Sequence, residues 1–205
     1  AMDERPMEVM QKTLQVIRKA DPEFKVSLAG NFHKELEADI YDYCIPIGAS
    51  YPAEVLARRA QNNLPTTYYT CCTEAFPNTF TFSDPAEAAW MSYYSAKDHL
   101  DGYLRWAYNS WPKEPLLDSR FEAWAGGDTY LVYPGARSSI RFEKLIEGVQ
   151  AHEKITILRK EFTDKKNKTG FKKLEKMLST FNLRDFPEVP AAETVNKANK
   201  ILNSL

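Results

Sequence analysis

The chain has 205 residues, 43% of them hydrophobic and 27% charged, with a formal net charge of −1. That length and balance suit one globular domain or a little more, exclude a global basic field for nucleic acid, and leave no apolar run near the roughly 20 residues that a membrane-spanning helix needs. The cysteines, Cys44, Cys71 and Cys72, lack zinc-ligand spacing and are expected as buried free thiols; no metal or other cofactor is expected. The first residues show no signal-peptide pattern, and the sequence assigns no compartment.

In chain order, Pro6 suits a first helical turn, and Met7, Met10, Leu14 and Ile17 recur at three- and four-residue steps until Asp21-Pro22 ends the helix. Phe24 to Leu28 is a short strand candidate, Asn31 to Glu37 a short helix, and Ile40 to Ile47 a second strand closed by Pro46 and Gly48. Pro52 to Asn62 is a helix and Thr66 to Cys72 a third strand, followed by a loop with Pro77 and Asn78. Asp84 is a candidate N-cap for a helix running to about Leu100.

The stretch from Asp101 to Arg141 organises the rest. It holds Trp106, Trp111 and Trp124, and two strand-like runs, Tyr103 to Tyr108 and Thr129 to Tyr133, the second stopped by Pro134-Gly135. Aromatic rings beside polar residues at a strand end are what a sugar site needs: flat rings cover the apolar face of a pyranose, and Asn, Asp and Arg take its hydroxyls. The same rings would serve equally as core. Ser138-Ser139 can cap a long helix from about Ile140 to Phe162, with Phe142, Leu145, Ile146, Val149 and Ile155 near one face. A charged turn at Asp164 to Lys168, a helix from Phe171 to Phe181, a linker marked by Pro187 and Pro190, and a helix from Ala191 to Leu205 complete the chain. The lysine run in that turn is expected as solvated surface.

Helices and strands alternate, which argues for parallel βα units. No Gly-x-Gly-x-x-Gly follows the first strand and no Walker pattern occurs, so a nucleotide-binding doubly wound sheet is disfavoured. Only four or five barrel strands can be counted. The expected fold is therefore α/β: about the second half of a (β/α)8 barrel in residues 1–163, followed by a helical extension in residues 164–205.

Several stretches, taken in order, resemble the C-terminal half of the catalytic domain of glycoside hydrolase family 123 and its bacterial relatives. They are Met2-Asp3-Glu4-Arg5-Pro6, Tyr69-Thr70-Cys71 with the Pro77-Asn78 loop, Asp101-Gly102-Tyr103-Leu104-Arg105-Trp106-Ala107-Tyr108-Asn109, Tyr133-Pro134-Gly135 and Ser139-Ile140-Arg141. The chain departs from many relatives after Arg141, where Ile146 and Ala151-His152 stand in place of an Arg and acidic residues.

The resemblance implies a (β/α)8 barrel that hydrolyses terminal β-linked N-acetylgalactosamine with retention, assisted by the substrate's own acetamido group. It implies that Glu4 is the general acid and that Asp3 accepts the acetamido N–H, which orients the amide oxygen toward the anomeric carbon; no protein nucleophile is needed. Neighbouring residues in a strand face opposite ways, but where the backbone turns at its end both acids can reach the mouth. Glu4 must start protonated, which requires a dry pocket or a nearby negative charge. By the same resemblance Tyr69 could hold the acetamido oxygen, Trp106 could floor the sugar, and Tyr108 or Asn109 could stand at its rim; of Tyr68 and Tyr69, one faces away. Arg141 is expected to anchor the last long helix.

The implied partner is a glycan, with homo-oligomerisation through exposed sheet edges a further expectation. Relatives of this kind are commonly exported, which points to a bacterial periplasm or cell surface. Because strands that would complete a barrel are not among those counted, little or no activity is expected of this chain alone. The alternatives are a non-catalytic carbohydrate-binding protein using Trp106 and Trp111, or an inactive fragment.

Overall fold

The computed structural model describes residues 5–185 and 188–205. The fold is mixed α/β. Its elements run α1 Met7–Ala20, β1 Ser27–Ala29, β2 Asp42–Pro46, α2 Ala53–Gln61, β3 Thr66–Thr70, α3 Ala86–Lys97, β4 Gly102–Arg105, α4 Ile140–Asp164, α5 Lys168–Leu178 and α6 Ala191–Leu202. The strands form one four-stranded sheet in the order β1-β2-β3-β4. The β1–β2 and β2–β3 pairs are parallel: Leu28 lies beside Tyr43, and Ile45 beside Tyr68. A parallel sheet in sequential order, with α2 and α3 as crossovers after β2 and β3 and further helices following, is the arrangement of a partial barrel with a C-terminal helical extension. No helix among the described residues is long and apolar enough to cross a membrane.

The chain divides into two compact units. The first comprises the residues up to Tyr69 together with Leu100–Leu104. Here α1 buries Met10 and Leu14, as its apolar spacing predicts. Arg59, on α2, is fully buried and stitches the segments together: it donates to the carbonyls of Ile40 (3.0 Å), Tyr41 (2.7 Å) and Pro65 (2.7 Å) and to Thr66 Oγ1 (3.2 Å). Its guanidinium also pairs with the buried Glu37 at 3.3 Å. Asp101 docks the start of β4 by accepting from the Thr66 N–H at 2.7 Å and donating its own N–H to the Thr66 carbonyl at 2.8 Å.

The expected helix from Asn31 to Glu37 is instead a run of turns ending in a 3-10 turn, Glu37–Asp39. The Tyr43 hydroxyl explains this. It donates to the Asn31 carbonyl (3.0 Å), the first acceptor a helix here would use, and accepts from the His33 N–H (2.8 Å).

The second unit comprises Thr70–His99 and Arg105–Leu205. Its centre is α3, which is buried on every side from Ala86 to Ala96 and packs against α4, α5 and α6. The Tyr93 ring stacks on Phe181 at 4.5 Å, and the Tyr93 hydroxyl donates to Asn199 Oδ1 at 2.5 Å. Asp84 lies one residue before the cap position, held by Pro85, and accepts from the Ala86 N–H at 2.9 Å.

The buried face of α4 differs from expectation. Gly148, Ala151, Ile155, Leu158 and Phe162 face inward, whereas Val149 is 57% exposed. Small side chains at Gly148 and Ala151 allow a close approach that an apolar-only pattern does not weigh. Ser139 is the N-cap, accepting from the Phe142 N–H at 3.2 Å. Helix α5 begins earlier than expected because Asn167 caps it, accepting from the Gly170 N–H at 2.9 Å. The strand-like run Tyr103 to Tyr108 keeps strand geometry only to Arg105, and Thr129 to Tyr133 joins no sheet. The latter's carbonyl at Thr129 takes the Ser110 N–H (3.0 Å), its Leu131 N–H reaches the Tyr108 carbonyl (2.8 Å), and only isolated antiparallel bridges result. Of the cysteines, Cys44 is buried as expected, but Cys71 is half-buried and Cys72 exposed, because β3 ends at Thr70 and releases them into a turn.

Candidate functional site

Arg105, the last residue of β4, gathers several segments of the second unit. Its side chain is 3% exposed. One terminal nitrogen donates to Asn78 Oδ1 (2.9 Å), the Thr70 carbonyl (3.2 Å) and Thr70 Oγ1 (3.3 Å). The other donates to the Asp128 carbonyl (2.7 Å) and pairs with the Asp128 carboxylate. Asp128 is fully buried, and its Oδ1 also accepts from the indole N–H of Trp106 at 3.2 Å. A hydrogen bond to a charged group contributes about 1.5–3 kcal/mol, so the indole is held at its edge while Trp106 stays 41% exposed.

Asn78 ties the loop after β3 to this centre. Its amide nitrogen donates to the carbonyls of Cys71 (2.7 Å) and Glu74 (2.6 Å), and its backbone N–H donates to Glu87 Oε2 at 2.7 Å. Burial pushes the Glu87 carboxyl above the ordinary range, opposed by the N–H groups of Asn78 and Asp84 that donate to it. On the other side of the centre, Gly127 takes a left-handed φ of +76°, and a Cβ there would lie 2.7 Å from Arg141 Nη1. Arg141 is buried and donates to the carbonyls of Gly127 (2.9 Å) and Thr79. Burial lowers its affinity for a proton, and the Tyr130 ring lies 5.4 Å from its guanidinium. In the described structure it anchors α4 and bonds to protein carbonyls.

The expected sugar-site residues divide three ways. Trp106, Tyr108 and Asn109 stand together on one exposed segment after β4. Tyr108 is 48% exposed with its ring edge-on to Phe142 at 5.8 Å, and Asn109 forms the bridge to Tyr130. Tyr69 belongs to the first unit, half-buried near the end of β3, where its carbonyl accepts from the Ile47 N–H at 2.9 Å; Tyr68 is the core partner, paired with Tyr103. Asp3 and Glu4 lie outside the described residues. Trp111 is 38% exposed and donates its indole N–H to the Val132 carbonyl at 2.7 Å.

Sequence reasoning did not single out Asp128 or the role of Trp124, whose ring lies 5.3 Å from that of Trp106 and is 38% exposed. The available signal was Arg105, a charge inside an otherwise apolar and aromatic run that demands a partner once buried. Two exposed indoles beside a phenol and an amide can bind a sugar through ring faces and hydroxyl contacts. Among the described residues no group of three or more His, Cys, Asp or Glu is placed to hold a metal ion.

The family model described as "Glycoside hydrolase 123, catalytic domain" matches residues 1–158. No curated protein matches the chain. Among solved structures, the chain is similar to a family 123 glycoside hydrolase from Clostridium perfringens studied for glycolipid glycan hydrolysis. Identity is 26% and the TM-score 0.78, over 99% of this chain and 39% of that one.

Proposed function

We propose that this chain, which belongs to the glycoside hydrolase 123 catalytic-domain family, carries the sugar platform and the acid pair of a retaining exo-hydrolase for β-linked N-acetylgalactosamine. The observation that carries this reading is the 41% exposed Trp106 ring, pinned at its N–H by Asp128, on the same segment as Tyr108 and Asn109. In this reading the pyranose lies on the indole face and Tyr69 receives the acetamido group. Asp3 accepts the acetamido N–H, so the amide oxygen attacks the anomeric carbon as the glycosidic bond breaks. Glu4 gives its proton to the departing oxygen. The oxazolinium intermediate then opens to water, with Glu4 taking a proton from that water. No cofactor enters the scheme. The barrel architecture is taken to extend over residues 1–163, with 164–205 as the helical extension.

The chain spans 39% of the similar Clostridium perfringens protein, and its own turnover is proposed to be small. Titration with p-nitrophenyl N-acetyl-β-galactosaminide, followed by tryptophan emission and p-nitrophenol release, tests the proposal. Saturable binding is expected, weakened about tenfold by Asp3→Asn through loss of a charged acceptor. Any release should fall to the blank in Glu4→Gln. Absence of saturable binding contradicts the proposal. The neighbouring exposed rings of Trp106 and Trp124 favour a second reading, a non-catalytic carbohydrate binder; it predicts binding that is indifferent to both acid substitutions. Among the described residues strands β1 and β4 are the sheet edges, and self-association through them is proposed as well. Light scattering should then give a mass above that of one chain.

A further inference from the structure

We propose that Asp128, held by Arg105, is a positioning residue that sets the orientation of the Trp106 indole and the spacing of the Trp106–Trp124 pair. The inference rests on Trp106 being the sugar platform. A buried ion pair is a poor device for stability alone, because desolvation offsets much of its attraction. Here the cost is plain: Arg105 Nε and Asp128 Oδ2 are buried without a hydrogen-bond partner among the described residues. What the pair does achieve is a fixed, charged acceptor. Asp128 Oδ1 takes both the guanidinium and the indole N–H of Trp106. An exposed tryptophan otherwise rotates freely about its side-chain bonds, and ordering it on binding costs about 0.5–1.5 kcal/mol.

The same residue closes, through its backbone, the turn that directly follows the one bearing the second ring. The Asp128 N–H donates to the Ala125 carbonyl (3.0 Å), and the Trp124 N–H donates to the Phe121 carbonyl (2.9 Å). Gly127, directly before Asp128, holds a left-handed φ of +76° that favours glycine. The Asp128 carboxylate thus fixes the edge of the Trp106 indole, while its backbone N–H closes the turn that follows Trp124. Because the N–H of Trp106 is consumed, the platform presents its face and no donor. Asp128 does not touch the sugar.

The test reads the indole ¹H–¹⁵N resonances of the whole chain, with the Trp106 signal assigned by Trp106→Phe, and sugar affinity by titration with N-acetylgalactosamine. In the native chain the Trp106 indole N–H should exchange with solvent more slowly than an exposed indole. Asp128→Asn should shift that resonance and weaken sugar binding about fivefold, while Trp106→Ala abolishes binding. If Asp128→Asn does not fold, native exchange protection and Arg105→Lys, which keeps the charge but loses the planar fork, make the same distinction. Unprotected exchange in the native chain overturns the inference. So does an unchanged resonance and affinity in Asp128→Asn while Trp106→Ala loses binding, an outcome that leaves the platform itself standing. Full binding by Trp106→Ala removes the platform and the positioning role together.

Discussion

Gly148 of α4 lies against Ala89 of α3 so closely that a Cβ on the glycine would stand 2.9 Å from the Ala89 Cα and carbonyl oxygen and 2.6 Å from Ser92 Oγ. Backbone cannot yield as a flexible side chain does, so the two helices would have to separate. Gly148→Ala should therefore lower stability by about 1–3 kcal/mol, outweighing the roughly 1 kcal/mol that alanine gains over glycine in a helix. Thermal unfolding checks this; a raised melting temperature would contradict the close packing.

The first unit depends on Arg59, whose buried guanidinium serves three backbone carbonyls, Thr66 and Glu37. Lysine offers three donors from a single point and cannot reach the same set. Arg59→Lys should cost about 3 kcal/mol, since carbonyls are left unpaired and Glu37 loses a buried partner. Arg58 also pairs with Glu37, but its side chain is 51% exposed; Arg58→Lys should cost less than about 1 kcal/mol. Denaturant unfolding of the two variants should separate them, and equal losses would contradict the assigned roles.

Glu87 carries a pH signature. Its folded carboxyl binds a proton more tightly than the ordinary glutamate value of 4.5, chiefly through burial. The folded state then holds more protons than the unfolded state between 4.5 and the raised value, so this group's contribution to stability falls as pH rises through that window and is level above it. The stability of the native chain relative to Glu87→Gln should follow that decline in urea melts. A difference that rises with pH across the window, or stays flat, would contradict the burial argument.

Much of the fold was legible because period and punctuation agree. Met10 and Leu14 mark the inner face of α1, Ser139 caps α4, and β2 stops at its proline, whereas β3 ends at Thr70, short of the expected Cys72. Thr129 to Tyr133 has strand composition but spends its hydrogen bonds on Tyr108 and Ser110 nearby, which only tertiary structure decides. The inner face of α4 was hidden because Gly148 and Ala151 mark it by size and not by hydrophobicity. Around the candidate site, the exposed aromatic segment at Trp106 was legible. The partner of Arg105 was not: Asp128 follows two glycines and reads as an ordinary turn residue until the fold buries it.

If Trp106 floors a site for N-acetylgalactosamine, as proposed, a crystal of this chain soaked with that sugar should show it. A pyranose ring is expected on the Trp106 indole face, with Tyr108 or Asn109 at its rim and the Trp106 N–H still donated to Asp128. A sugar bound only elsewhere, or no bound sugar while the Trp106 face remains open to solvent, would contradict it.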